Sequence, residues 1–124
     1  MYQRFANNPC GKSIGDCAVR AISVALDIDW YEAFDLLVEI ARNMCDMPSA
    51  DAVWGEALRI NGFTRFIISN NCPGCYNAED FCIDHPSGIY TLAFGGHVAT
   101  VKDGILFDSW DSSSEIPLYY FHHK

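Results

Sequence analysis

Residues 15–26 read Gly-Asp-Cys-Ala-Val-Arg-Ala-Ile-Ser-Val-Ala-Leu, and this stretch decides the fold. From Cys17 to Leu26 it is apolar on almost every side, with Arg20 and Ser23 the exceptions. A surface helix would show one apolar stripe, so this pattern predicts a central, buried helix that begins at Asp16 or Cys17. Gly15 allows a sharp approach to it. Cys17 then stands at the helix N-terminus, where the helix dipole and unpaired N–H groups favour a thiolate. The same N–H groups can stabilise a developing oxyanion. The plain alternative is a small core residue, since free cysteine is among the most buried residue types.

Outward from this helix the pattern stays helical for some forty residues. Asp29 is placed to cap a second helix, with Glu32 at the capping-box position. Trp30, Ala33, Phe34, Leu37, Ile40 and Ala41 then form an amphipathic stripe to about Asn43. Ser49 is expected to start a third helix that carries Val53, Trp54, Ala57 and Leu58, with Asn61-Gly62 ending it. The aromatic residues Trp30, Trp54, Phe34 and Phe63 read as core rather than as a ligand platform. On the other side, residues 1–15 look irregular, because Asn7, Asn8, Pro9, Gly11 and Gly15 are turn formers.

Beyond Gly62 the grammar changes to strands. Thr64–Ser69 reads as a strand, Asn70–Cys75 as a turn-rich loop, and residues 77–84 as one short helix. Ile89–Phe94, His97–Lys102 and Ile105–Phe107 read as strands, separated by Gly95-Gly96 and Asp103-Gly104. Asp-Gly between apolar runs is a strong hairpin signal. Leu118–Phe121 adds an edge strand, and His122-His123 reads as a frayed terminus. Helices first and antiparallel strands second predict a segregated α+β fold, the buried central helix packed on a C-terminal antiparallel sheet.

Composition bounds the function. The 124 residues suit one domain and are half hydrophobic, enough for a core without covalent staples. Eight Lys and Arg against sixteen Asp and Glu give a net charge of −8, which repels phosphate backbones and argues against a nucleic-acid partner. The same charge points weakly to basic or neutral substrates. No apolar run approaches the roughly 20 residues of a membrane helix, and Asp27, Asp29 and Asp35 interrupt the richest stretch. The opening Met-Tyr-Gln-Arg-Phe-Ala-Asn-Asn lacks the apolar core of a signal peptide, so the expectation is a cytoplasmic protein with no membrane partner. In that compartment the six cysteines are expected to be reduced thiols, although an even set would also suit a secreted disulfide framework.

Two further residues complete a candidate site. His97, after Gly95-Gly96, should open a strand at the end of the sheet. Asp108 closes the next strand, eleven positions later. A hairpin about Asp103-Gly104 would return Asp108 beside His97, where it could accept the second imidazole N–H and orient the ring. A satisfied structural histidine and a strand-terminating Asp are the plain alternatives, and Asp111 is the reserve candidate.

The combination resembles the papain-like cysteine peptidase superfamily. A Cys opens a buried helix, and 80 residues later come Gly-Gly-His on one strand and Asp108-Ser109-Trp110 after the next. The triplet Asp108-Ser109-Trp110 looks like the family's Asn-Ser-Trp, with Asp for Asn. Asp16-Cys17 resembles the Asp-Cys of the bacteriocin-processing (double-glycine) peptidases. More narrowly, the chain is similar to small single-domain proteins of bacteriophages and Gram-positive bacteria. The stretches that carry this are Ile14–Ala21, Gly96-His97-Val98 and Asp108–Ser112. The resemblance spans most of the chain and implies a papain-like domain over residues 1–124 acting on a peptide or protein substrate. It implies a thiol hydrolase in which Cys17 is the nucleophile, His97 the base and Asp108 its orienter, with no cofactor.

One departure stands out. Papain-like enzymes place a Gln a few residues before the nucleophile as an oxyanion donor, and here Gln3 is the single Gln. Lys12, Ser13 or Asn8 are the candidates to replace it, and losing such a donor typically costs about 10²–10³ in rate. A lapsed module that binds another protein is therefore the alternative function. Separately, Cys72-Pro73-Gly74-Cys75, with Cys82 and His85 following, supplies four ligand types that tetrahedral zinc prefers. Cys82 and His85 at i,i+3 on a short helix would share a face. The spacing is shorter than common zinc modules allow, and a Cys72–Cys75 redox pair or plain buried thiols are the other readings.

Overall fold

A computed structural model of the chain describes residues 1–69 and 76–123. The expected loop over Asn70–Cys75, and with it Cys72 and Cys75, lies outside the described residues. In chain order the elements are β1 (Tyr2–Arg4), α1 (Cys17–Leu26), α2 (Trp30–Met44), α3 (Asp51–Ile60), β2 (Phe63–Ile67), α4 (Ala78–Asp84), β3 (Ile89–Phe94), β4 (His97–Lys102), β5 (Ile105–Asp108) and β6 (Tyr119–His123). The strands form one sheet in the order β1-β5-β4-β3-β6-β2. The architecture is α+β.

The helices form where the local chemistry calls for them. The Asp29 side chain accepts from the Glu32 N–H at 2.8 Å, and the Glu32 carboxylate accepts from the Asp29 N–H. Asn77 and Asp80 make the equivalent box at the start of α4. α3 begins after Ala50 rather than at Ser49, because the Met47–Ala50 turn closes first, its Ala50 N–H bonding to the Met47 carbonyl.

Two apolar cores sit on opposite faces of the sheet. α1, α2 and α3 cover one, where Ile22, Leu37, Trp54, Leu58 and Phe121 meet. α4 covers part of the other, with Phe81, Leu92, Val101 and Leu106. α1 runs through the first core as its composition predicts, and Arg20 and Ser23 are buried with it. It is pinned to β4 by the Thr100 hydroxyl, which donates to the Ala21 carbonyl at 2.8 Å. Trp54 and Phe63 are core residues, but Phe34 remains 39% exposed and stacks on Trp30 at the surface.

Three expectations about the sheet are corrected. Residues 1–15 are not wholly irregular: β1 pairs in parallel with β5, so the sheet is mixed rather than antiparallel. Three residues carry too little alternation to signal a strand, and the pairing partner lies about a hundred residues away in sequence. The last strand is not an edge, because β6 lies between β3 and β2. Consequently His122 and His123 are not a frayed end. His122 stacks on Tyr90 with ring centroids 4.3 Å apart, and His123 packs on Phe63. No helix among the described residues is long and apolar enough to cross a membrane.

Candidate active site

The Thr100–Ala21 bond sets the geometry of the site. One helical turn back along α1, about 6 Å, is Cys17; three residues back along β4, about 10 Å, is His97. Both reach the same end of the sheet. The Asp103-Gly104 turn has positive φ at both positions, 52° and 75°, as the right-handed strand twist favours in a two-residue hairpin. Its register pairs Thr100 with Phe107. One step further sets Asp108 opposite Ala99, two residues from His97, a diagonal that long side chains span.

The structure thus brings Cys17, His97 and Asp108 together. His97 Nε2 lies 2.6 Å from Asp108 Oδ2, which leaves Nδ1 for the thiol. Burial alone would raise the Cys17 pKa, but the His97 hydrogen bond and charge, the Val98 N–H and the Arg20 charge together hold it below the ordinary thiol value. Burial would lower that of His97, but its bonds to Asp108 and Cys17 prevail and push it up to about 9. Both shifts favour an imidazolium facing a thiolate over the neutral pair. Trp110 lies tilted against His97 with centroids 5.1 Å apart.

Asp108 is fully buried and saturated. Its Oδ2 accepts from the Ser112 hydroxyl at 2.6 Å, and its Oδ1 accepts from the Ser109 N–H at 2.8 Å. Burial would raise its pKa, yet the bonds from His97, Ser112 and Ser109 hold it below the usual carboxylate value. β1 clamps the same residue from behind, since the Phe5 N–H and the Tyr2 hydroxyl both donate to the Asp108 carbonyl. Asp111, the reserve candidate, is exposed and bonds to Ser113 instead.

Arg20 carries no local motif that marks it as a site residue, although one charge on a buried helix must find a partner. Its guanidinium donates to Asp108 Oδ1 at 3.1 Å and to Asp16 Oδ1 at 2.9 Å. Asp16 Oδ2 in turn accepts from the Trp30 indole N–H at 2.9 Å. Asp16 therefore does not cap α1 with its side chain, which leaves the first N–H groups of the helix beside Cys17 free of it.

Two hollows flank the segment that leads into Cys17: Ile14 and Asp16 line both, so this segment forms the ridge between them, and Cys17 itself lines neither. The larger, about 350 Å³, is polar and lies on the Trp110 side. The smaller, about 170 Å³, is walled by Val19, Trp30, Phe34 and Pro48. Among the candidates for the missing Gln, Asn8, Lys12 and Ser13 all line the larger cleft. The Asn8 carboxamide oxygen accepts from the Cys10 and Lys12 N–H groups at 2.9 and 3.3 Å. Its NH₂ is thereby turned toward Asp16, at 3.5 Å.

The other cysteine cluster is not assembled by the described residues. Cys82 is buried in the apolar core against α4, and His85 Nδ1 meets the Phe81 carbonyl at 2.9 Å while its ring stacks on Phe81. Cys10, Cys17, Cys45 and Cys82 are free thiols. No group of three metal-ligating side chains occurs among the described residues, which do not include Cys72 and Cys75. Comparison with known proteins finds no family model, no curated protein and no solved structure that matches this chain.

Proposed function

We propose that this protein is a thiol-dependent hydrolase of papain-like type, cleaving a peptide or other amide bond. The observation that carries the reading is the hydrogen-bonded chain Cys17–His97–Asp108, in which a buried carboxylate orients an imidazole that faces a thiol at a helix N-terminus. The Cys17 thiolate attacks the carbonyl carbon, forming the C–S bond as the carbonyl electrons move to oxygen. The Cys17 N–H and one of Asn8, Lys12 or Ser13 on the cleft wall are the candidate donors for that oxyanion. Collapse breaks the C–N bond, and His97 gives its proton to the leaving amine. Water, deprotonated by His97, then releases the acyl group and restores the thiol pair. The residues described need no cofactor for these steps.

The test is the rate of Cys17 alkylation by iodoacetamide as a function of pH, resolved by mass spectrometry. Fast labelling well below the ordinary thiol pKa of about 8.5, moved to higher pH by His97→Ala, is the expected result. A thiol that titrates like a free cysteine in both proteins would overturn the enzyme reading and leave the lapsed, protein-binding module.

A further inference from the structure

We infer that the 350 Å³ cleft lined by Asp16, Arg20, Ser109 and Trp110, the neighbours of the Cys17–His97–Asp108 site, selects a substrate bearing a carboxylate on the Trp110 side of the scissile amide; this rests on the hydrolase reading above. The net charge of −8 suggests the opposite preference. The cations, however, are not evenly spread: Arg4, Lys12 and Arg20 all line this one cleft. Arg20 is committed to Asp16 and Asp108. Arg4 and Lys12 are exposed, and neither forms an ion pair among the described residues.

The carboxylates nearby do not cancel them. Asp16 is held by Arg20 and Trp30, and Asp108 by Arg20, His97, Ser112 and the Ser109 N–H. Asp111 keeps its charge but bonds to Ser113 and does not line the cleft. The cleft wall thus presents two unopposed cations among neutral hydroxyl, amide and indole groups. Range decides which field a substrate feels there. At about 0.1 M salt the screening length is about 10 Å, so the acidic surface further away is damped while groups lining the cleft are not. A guanidinium also matches a carboxylate with two parallel N–H donors, which gives direction as well as attraction.

Iodoacetate and iodoacetamide differ by one charge at nearly equal size, and both alkylate a thiolate with loss of iodide. Their rate ratio at Cys17, measured in the full chain and normalised to glutathione in the same buffer, reads the local field without a known substrate. His97 and Arg20 raise the ratio in every variant, so the comparison that matters is with the double variant Arg4→Gln, Lys12→Gln. The expected ratio falls by about threefold to tenfold in that variant, as removal of two cations from the wall of a wet cleft next to the site implies. Added salt should reduce the wild-type ratio toward the variant's, and the charge-conserving pair Arg4→Lys, Lys12→Arg should keep it high. Equal ratios in wild type and double variant would overturn the inference. Failure of the hydrolase reading shows separately, as a slow iodoacetamide rate at low pH, and the ratio still reports the charge of the cleft.

Discussion

Two cysteine–histidine pairs occur in this chain, and they have opposite fates. Cys17 opens a helix and faces His97, whose far nitrogen is held by a buried carboxylate. Cys82 sits within the short helix α4, near a histidine whose Nδ1 meets only a backbone carbonyl. The first thiol is held below its ordinary pKa by charge and hydrogen bonds that outweigh burial. Burial dominates at the second and pushes it up. Residue type is the same at both places. Position on the element and the charge supplied by distant chain segments favour the thiolate at one cysteine and disfavour it at the other.

The largest effect should come from breaking the first pair. Cys17→Ala is expected to abolish hydrolysis, and His97→Ala to lower it by about a thousandfold or more, whereas Cys82→Ala leaves turnover unchanged. Steady-state assays on any peptide substrate that the wild type cleaves would check this ordering. Comparable losses from Cys17→Ala and Cys82→Ala would dissolve the contrast.

Next is the buried charge that only the first pair possesses. Arg20→Met removes the guanidinium that bridges Asp16 and Asp108, leaving Asp16 without a cation and Asp108 with His97 alone. Removing one partner of a buried ion pair typically costs about 3–5 kcal/mol. Urea unfolding should show that loss, with part of it recovered in Arg20→Lys. A loss under about 1 kcal/mol would mean the network behaves as a surface salt bridge.

The pH dependence sharpens the same contrast. His97 has its pKa raised to about 9 from 6.5, so its contribution to stability is fully present below pH 6.5 and fades as pH rises toward 9. Asp108 is shifted down, so its contribution holds above the ordinary carboxylate range and is lost as acid protonates it. The thiol of Cys17, also shifted down, titrates against the His97 effect at alkaline pH. Thermal melts are therefore best compared in a Cys17→Ala background, where Asp108 alone holds the imidazolium. There, stability should fall by about 1–3 kcal/mol from neutral to alkaline pH, and adding His97→Ala should flatten that limb.

The smallest expected effect lies at the second pair. Cys82→Ala removes one buried sulfur from a packed core and should lower stability by about 1 kcal/mol, with the alkylation profile of Cys17 unmoved. Chemical denaturation and site-resolved labelling check the two halves separately.

Much of the candidate site could be read from local patterns. The unbroken apolar run after Cys17 announces a buried helix, Asp29 and Glu32 announce the next one, and Asp103-Gly104 announces the hairpin that returns Asp108 toward His97. Each is a property of a few consecutive residues, expressed through periodicity, capping or turn chemistry. Other features depend on which distant segments meet. β1 exists because residues 2–4 find the open edge of β5, and β6 is interior because β2 adds outside it. Trp30 reads as core from its helical stripe, yet its indole N–H serves Asp16. The sequence alone thus determined the helices, the hairpin and the identity of the thiol, imidazole and carboxylate. Sheet order, the Arg20 bridge across 88 residues and the cationic wall of the cleft were decided only in the tertiary structure. Charge pairing and strand docking are energies between surfaces that do not exist until the chain has closed.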